Sequence, residues 1–298
     1  MNQEVCPFCK TGKVKKLYSA TKDTQERAVN LFTCTNCGFG KHGPINKCAT
    51  CGIFYVDDAI SQQKISEFYE ISEDEVYLAE QNAREATFKY YLSKLKRVAK
   101  SKGKLLDIGT HTGLFVKLAR EEGFKAVGLE PNKQAVQFAA SHYGLDLINE
   151  PFEKNTFPPN SLDVITMWDV IEHFTDPVVE LEKVYKTLKQ NGVFAFSTVD
   201  PESLVARIWA TRWPWYMEMH RVFLSERTAR FYLTKVGFKK IIFKPHFRFF
   251  SLAYAANRFM MVNSLVSTIA SRIAKIPHLG KVLVPYYAND LYDCYAFK

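Results

Sequence analysis

"LLDIGTHTGLFVKL" (105–118) begins as a short apolar run, continues as a glycine-containing turn and ends in a helical pattern. The run closes on an acid, Asp107, and the turn contains Gly109 and Gly113. The stretch lacks the Gly-Lys-Ser/Thr of a phosphate-binding loop and the third glycine of a dinucleotide fingerprint. Because a buried carboxylate here would repel a pyrophosphate, we expect a cationic ligand group beside Asp107, approached closely by the glycine backbone.

From residue 104 onward, short apolar segments alternate with amphipathic helical patterns. This alternation predicts an α/β fold with a Rossmann-like, doubly wound sheet of seven mostly parallel strands. Ligands of such sheets bind beyond the C-terminal ends of the strands. Glu130 ends the second strand in "AVGLEPN", where an acid in this fold hydrogen-bonds vicinal ribose hydroxyls. The two acids, Asp107 and Glu130, therefore favour a ligand that carries both a cationic group and a ribose.

The N-terminal region is rich in cysteine. Six of the seven cysteines form three C-x-x-C pairs, Cys6/Cys9, Cys34/Cys37 and Cys48/Cys51. Two such pairs supply the four thiolates of a tetrahedral zinc site, whereas a disulfide framework is disfavoured in a long chain without a signal-peptide pattern. The pattern predicts a small zinc ribbon over residues 1–57 with a structural zinc ion. The spacing leaves open which four cysteines bind, and whether a second metal exists.

The net charge of +9 is unevenly distributed along the chain. From residue 201 onward there are 15 Lys and Arg against 5 Asp and Glu. A basic region favours an anionic partner, such as a phosphorylated substrate, a lipid head group or nucleic acid, although a solvated basic face is the commoner outcome. No uninterrupted apolar run has the length of a membrane span, and the missing signal-peptide pattern favours a cytoplasmic location.

Four segments resemble the successive motifs of class I S-adenosylmethionine-dependent methyltransferases, in the ubiquinone-biosynthesis and sugar-methyltransferase branch. They are "LLDIGTHTGLF" (105–115), "AVGLEPN" (126–132), "FPPNSLDVITMWDVIEHFTDP" (157–177) and "LKQNGVFAFSTVD" (188–200). The cysteine ribbon is also similar to that of bacterial methyltransferases that act on nucleotide-linked sugars. The implied domains are a zinc ribbon (1–57), a helical linker (58–103) and a cofactor-binding domain (104–298).

The resemblance implies S-adenosylmethionine as the cofactor. Asp107, Gly109 and Gly113 would flank its methionine part, and Glu130 would hold its ribose. The full set of cofactor-binding residues that the resemblance implies is Asp107, Gly109, Thr110, His111, Thr112, Gly113, Leu114, Phe115, Glu130, Pro131, Phe152, Glu153, Met167 and Trp168. Phe152 or Glu153 would lie near the adenine, and Met167 and Trp168 would line the pocket.

"WDVIEHF" (168–174) places Asp169, Glu172 and His173 at spacings of three and four, on one side of a helical turn. One interpretation is structural, with Asp169 capping a helix and the other two supporting the loop. The alternative is a general base, or a divalent-cation site resembling that of quinone O-methyltransferases. Either would help, because an attacking hydroxyl must lose its proton.

"WPWYMEMHRVFLS" (213–225) follows the fifth strand, where this fold places residues that contact the methyl acceptor. Its first part, 213–220, combines three aromatic residues with an acid and a histidine in a loop that contains proline, which favours a substrate wall over a core segment. His220 is the first candidate for a catalytic base, ahead of His173. The candidate catalytic residues are His220, His173, Glu218 and Asp169.

Residues 246–288 are predicted to form a helical insertion, because apolar residues recur there at helical spacing between positions 259 and 276. The favoured interpretation is a helix packed over the active site, and the alternative is contact with a membrane surface.

The combined interpretation is methyl transfer to an anionic small-molecule acceptor, a sugar linked to a nucleotide or a lipid. One alternative is an RNA methyltransferase that uses the ribbon and the basic C-terminal region, which would bind RNA with steep salt dependence. The scattered placement of the basic residues argues against it, so we expect no stable nucleic-acid complex. The other alternative is a non-catalytic scaffold that binds the cofactor without turnover.

Overall fold

The computed structural model describes residues 5–21, 40–57, 78–255, 279–287 and 289–298. No helix within these ranges combines the length and the apolar character needed to cross a membrane. The strands in these ranges are β1 (Val14–Tyr18), β2 (Ile45–Cys48), β3 (Phe54–Val56), β4 (Lys104–Ile108), β5 (Lys125–Leu129), β6 (Leu162–Trp168), β7 (Leu188–Val199), β8 (Val222–Phe223), β9 (Lys240–Pro245), β10 (Arg248–Ser251), β11 (Leu283–Tyr286) and β12 (Leu291–Phe297). The α-helices are α1 (Gln81–Val98), α2 (Leu114–Glu121), α3 (Lys133–Tyr143), α4 (Pro177–Thr187), α5 (Leu204–Trp209) and α6 (Glu226–Val236).

The larger sheet has the strand order β5-β4-β6-β7-β12-β9. Strands β5, β4, β6 and β7 run parallel, and β12 is antiparallel to both of its neighbours. One buried cluster packs α1, α2 and α3 against this sheet, and another packs α4 and α6. Because both faces are covered, the parallel strands are almost continuously apolar. The predicted Rossmann-like α/β fold is confirmed.

The predicted count of seven strands is too high for the described part of this sheet, which has six. The segment "LDLI" (145–148) is reduced to a single parallel bridge between Ile148 and Leu129. The Asn149 side chain instead donates to the backbone carbonyls of Glu130 and Pro131, at 2.9 and 3.0 Å. At this edge of the sheet, these side-chain hydrogen bonds replace the backbone hydrogen bonds that would extend a strand.

The turn between β4 and α2 depends on two glycines with positive φ, Gly109 at 70° and Gly113 at 75°. A Cβ atom on Gly109 would lie 2.6 Å from a methyl group of Val170, so only glycine fits against that side chain. Gly113 occupies the N-cap position of α2. The turn therefore brings backbone N–H groups to the C-terminal end of β4, where the fold binds its ligands.

The ribbon shares a sheet with the larger domain, residues 104–298. Its strands pair in the order β1-β2-β3, and β3 pairs onward with β8, which lies more than 160 residues later. A buried cluster also joins the two regions, with Ile45 and Phe54 of the ribbon against Trp213, Tyr216 and Phe223 of the larger domain. The ribbon is thus packed against the larger domain.

The described flanks of the predicted helical insertion contain strands as well as helix. β10 pairs antiparallel with β11, and residues 252–255 are helical. The predicted helix positions between 259 and 276 lie outside the described residues. β10 also binds α1, because the Phe249 N–H donates to the Thr87 hydroxyl at 2.9 Å. This contact places β10 across the sheet edge where the site lies.

Candidate functional site

A cavity of about 310 Å³ lies at the C-terminal ends of β4, β5 and β6, between α1 and β10. Nine of the predicted cofactor residues line it, namely Asp107, Gly109, Thr110, His111, Glu130, Pro131, Phe152, Glu153 and Trp168. The other five are buried outside its lining, namely Thr112, Gly113, Leu114, Phe115 and Met167. The structure therefore gathers most of the predicted set around one space.

Asp107 lies at the floor of this cavity and is only 2% exposed. Its carboxylate accepts a hydrogen bond of 2.6 Å from the Thr166 hydroxyl on the neighbouring strand. Burial raises the pKa of Asp107 to about 7, against the lowering effect of the hydrogen bonds from Thr166 and Thr110. A cation in the cavity would favour the charged form, so the geometry fits a positively charged ligand group.

Glu130 is fully buried at the end of β5 and holds the glycine turn. One carboxylate oxygen accepts from the His111 N–H at 2.7 Å, and the other accepts from the Asn132 N–H at 2.8 Å. Glu130 lines the cavity, and a carboxylate has about four acceptor sites, which suits hydrogen bonds to a vicinal diol there. His111 adopts φ 51°, which turns its N–H toward Glu130, and burial lowers the pKa of its ring to about 3.

Glu172, His173 and His220 come together on the opposite side of the cavity, with one potential ligand atom from each within 4.8 Å of the others. His173 Nδ1 lies 3.0 Å from the Met219 carbonyl and His220 Nδ1 lies 2.9 Å from the Trp215 carbonyl. Since a carbonyl only accepts, both Nδ1 atoms must donate, which leaves each Nε2 with a free lone pair.

The pKa shifts of these three side chains favour their neutral forms. Burial lowers the pKa of both histidines, that of His220 to about 3, so both rings are neutral. Burial and the nearby Asp169 charge raise the pKa of Glu172 to about 8. Two neutral imidazoles and a carboxyl group can accept a proton or hold a divalent cation.

Asp169 takes part in an ion pair. Its carboxylate lies 2.9 Å from Arg248 Nη2 on β10, and its other oxygen accepts from Ser197 at 2.8 Å. Burial would raise the pKa of Asp169, but the Arg248 charge, the nearby His246 and the Ser197 hydrogen bond together outweigh burial and lower the pKa to about 2. The residue has φ 57°, a left-handed conformation that lets β6 end in this turn. It follows β6 directly and precedes the 3-10 turn Ile171–His173.

The segment 213–225 is only partly a wall of the cavity. Trp215 and His220 line it, together with Met217 and Met219. Trp213 and Tyr216 are 0% and 1% exposed and belong to the shared core with the ribbon, so the predicted substrate-facing role is wrong for these two. Glu218, a predicted catalytic residue, lies outside the cavity lining and is half-buried.

Arg248 is a cavity residue that the sequence analysis missed. Its Nε donates to His246 Nε2 at 3.0 Å, and His246 Nδ1 in turn donates to Asp293 at 2.6 Å. His246 and Asp293 are both almost completely buried. Nothing in the local pattern "HFRFF" marks Arg248 as functional, since its carboxylate partner Asp169 is distant in sequence.

Four of the six predicted metal ligands form a compact cluster. Their sulfur atoms are 3.9 Å apart for Cys6 and Cys51 and 3.7 Å apart for Cys9 and Cys48. A tetrahedral zinc ion with bonds of about 2.3 Å requires sulfur atoms roughly 3.8 Å apart, so the thiol positions fit the ion. All four cysteines are free of disulfides. Cys34 and Cys37 lie outside the described residues.

Comparison with known proteins agrees with this geometry. A family model described as a methyltransferase domain matches residues 82–241. A ubiquinone biosynthesis O-methyltransferase from Yersinia enterocolitica is 28% identical over 103 residues, which cover 33% of this chain and 43% of that protein. The protein of the same name from Vibrio cholerae is 26% identical over 106 residues, covering 33% and 42%. The match spans less than half the length of these curated relatives.

A crystal structure of a SAM-dependent methyltransferase from Archaeoglobus fulgidus superposes with a TM-score of 0.52 at 20% identity, covering 76% of this chain and 100% of that one. This likeness concerns the fold alone. The family model, by contrast, matches more than half of the chain. The chain therefore belongs to the methyltransferase domain family, with the class I Rossmann-like fold of S-adenosylmethionine-dependent methyltransferases.

Proposed function

We propose that the protein transfers a methyl group from S-adenosylmethionine to a hydroxyl group of a small molecule, a sugar linked to a nucleotide or a lipid. The observation that carries the proposal is the set of residues that line one cavity. Asp107 and Glu130 face it from two adjacent strand ends, and Glu172, His173 and His220 face it from the other side. The names of the curated relatives support an oxygen acceptor.

The cofactor half of the cavity would be formed by the acids. Asp107 would lie near the cationic methionine part. Glu130 would accept from the ribose hydroxyls, and its two oxygens also hold the surrounding loop in place. When bound, the cofactor supplies an electrophilic methyl group on a sulfonium sulfur. The rate would come mainly from alignment of the acceptor with that methyl group.

The acceptor half of the cavity would take up the proton. As the oxygen–carbon bond forms and the sulfur–carbon bond breaks, the hydroxyl proton passes to a nearby base. His220 and His173 are neutral and each leaves an Nε2 lone pair, so either can accept it. Arg248, which lines the cavity as Arg84 does, would meet an anionic group of the acceptor.

Cofactor binding is the first test. Calorimetry with S-adenosylmethionine should show a single site in the wild-type protein. D107A and E130A should each weaken binding by about 10- to 100-fold, the value of about 1.5–3 kcal/mol for a hydrogen bond to a charged group. D146A, which removes an exposed acid from the same domain, is the matched control and should bind like wild type. Unchanged affinity in both site variants would contradict the proposal.

Acceptor class is the second test. The protein is incubated with methyl-labelled cofactor and, separately, with nucleotide-linked sugars, polyprenyl-linked sugars, a catechol-type quinol and total RNA. Label transfer to a linked sugar is the expected result. Transfer to RNA that weakens steeply with salt would favour the nucleic-acid alternative. Binding of the cofactor without transfer to any class would favour a scaffold.

A further inference from the structure

The backbone of one residue, Arg221, connects the ribbon to the cavity. The Val56 N–H on β3 donates to the Arg221 carbonyl at 2.9 Å, and the Arg221 N–H donates to the Glu172 carbonyl at 2.8 Å. The register of β3 on β8 follows directly, with Tyr55 opposite Val222. The residue before Arg221 is His220. We call residues 213–224 the acceptor wall, because Trp215, Met217, Met219 and His220 in it line the cavity.

The acceptor wall bonds to Asp290 and Tyr292 of the main domain, but its strand pairing comes from the ribbon. β8 is only two residues long, and in the smaller sheet it pairs with β3 alone. Tyr216 in the wall packs edge-on against Trp213 and Phe223 at 4.9 Å, and the ribbon residue His42 covers it at 5.3 Å. His42 Nε2 also lies 3.2 Å from the Thr211 carbonyl just before the wall.

The thiol cluster holds the ribbon in the position that these contacts need. Cys48 is the last residue of β2, which pairs with β3, and Cys51 lies in the short turn between these two strands. Between them and β3, Gly52 packs so tightly on α6 that a Cβ would lie 2.8 Å from the Thr228 hydroxyl. In small cysteine ribbons the free energy of metal binding is the free energy of folding. Metal loss would therefore release β3 from β8.

We propose that the four-thiolate metal site orders the acceptor wall, so that loss of the metal disables the acceptor half of the cavity and leaves the cofactor half intact. The ribbon cysteines share a buried cluster with Leu106, Ile108 and Leu129. The polar groups of the cofactor half are nevertheless held by the main sheet and its turns, because Asp107 and Glu130 bond to Thr166, His111 and Asn132. The proposal rests on the proposed function, which makes residues 213–224 the part of the cavity that contacts the acceptor, but its structural test does not require turnover.

The test compares the metal-loaded wild-type protein with C48S/C51S by hydrogen–deuterium exchange. Amides of 213–224 should exchange at least about tenfold faster in the variant, while amides of 104–132 keep their protection. Affinity for S-adenosylhomocysteine, measured by calorimetry, should stay within about twofold of wild type, because that ligand needs only the cofactor half. Equal protection of 213–224 in both proteins overturns the proposal.

A second pair of variants keeps the metal site whole. V56P removes the N–H that donates to Arg221, and V56A shortens the same side chain but retains that N–H. V56P alone should speed exchange in 213–224. Faster exchange that also spreads over 104–132 in both C48S/C51S and V56P overturns the proposal, because the ribbon would then support the whole fold. Absence of ligand binding by the wild-type protein would instead contradict the proposed function, and the exchange data would still test the wall.

Discussion

Asp107 combines two properties that oppose each other. Cofactor binding needs its charge, whereas burial raises its pKa to about 7 and so favours the neutral acid in the free protein. An unfolded chain titrates its aspartates near pH 3.9. The carboxyl therefore disfavours folding increasingly as the pH rises from about 4 to about 7, and this loss is complete above the folded pKa.

D107N should separate these effects. The affinity of the wild-type protein for S-adenosylmethionine should rise as the pH increases from 6 to 8, because the carboxylate forms over that window. D107N should bind weakly with little pH dependence. In thermal unfolding without ligand, D107N should be more stable than wild type at pH 8 and close to it at pH 4. A pH-independent affinity of the wild-type protein would count against this role of Asp107.

The role of His220 as a base can be tested separately from its role in the structure, by comparing kcat with ligand affinity. H220Q should lower kcat by about 10²- to 10⁴-fold, the usual contribution of a positioned base, and leave the affinity for S-adenosylhomocysteine unchanged. H142Q, at an exposed histidine of the same domain, is the control and should retain full activity. Equal losses of ligand affinity and kcat in H220Q would point to a structural role.

Single residues differ in how well the sequence predicts them. Asp107 and Glu130 could be identified because they end strands whose order follows from the alternating pattern. Arg248 could not, since its ion pair with Asp169 joins residues 79 positions apart across the cavity. His111 is among the predicted residues, but the sequence does not reveal that its backbone N–H binds Glu130.

β10 is the element that brings a cation to the acceptor half of the cavity. Its first residue, Arg248, is held by Asp169 on one side and by the His246–Asp293 pair on the other. R248K keeps the charge but loses the planar fork that makes both contacts.

We expect R248K to raise the KM for an anionic acceptor about tenfold or more, with an unchanged affinity for S-adenosylhomocysteine. Steady-state kinetics and calorimetry measure the two quantities. R230K changes an exposed arginine in the same way and should have no effect. An equally raised KM for an uncharged acceptor analogue would mean that Arg248 acts through the shape of the cavity.

At the level of elements, the sequence predicts those with strong local signals. The patterns "NKQAVQFAASHYG" (132–144) and "DPVVELEKVYKTLKQNG" (176–192) each predict a helix, and Asn132 and Asp176 each accept from a backbone N–H near the start of the observed helix. The second helix ends earlier than its pattern predicts, at Thr187, and β7 begins at Leu188. The reason is tertiary, because Leu188 pairs with Leu162 of β6. Local preference cannot reveal such a pairing.

The whole molecule is united by the core that the ribbon and the catalytic domain share. Phe54 of the ribbon is 3% exposed and lies in one cluster with Trp213 and Tyr216. Composition and motif spacing separate these regions into two domains, and they cannot show that β3 joins β8. The shared core is evident only in the three-dimensional structure.

F54A should therefore destabilise the ribbon and residues 213–224, which share this core, by about 3–5 kcal/mol, the usual effect of truncating a buried phenylalanine. Urea unfolding followed by tryptophan fluorescence should show this loss as a lower midpoint in F54A than in the wild-type protein. F231A, at an exposed phenylalanine of α6, is the control and should change stability little. An unchanged midpoint in F54A would show that the shared core does not support these residues.

The place of β12 has a consequence for how the molecule is made. This strand lies between β7 and β9 but leaves the ribosome after both of them, and it carries Asp293. β4, β5, β6 and β7 are already complete when synthesis reaches residue 199. A nascent chain halted before residue 291 would hold the ends of β4 and β5 without the anchor of His246. Biosynthesis thus assembles the cofactor pocket first, and Arg248 gains its last support only when β12 is inserted.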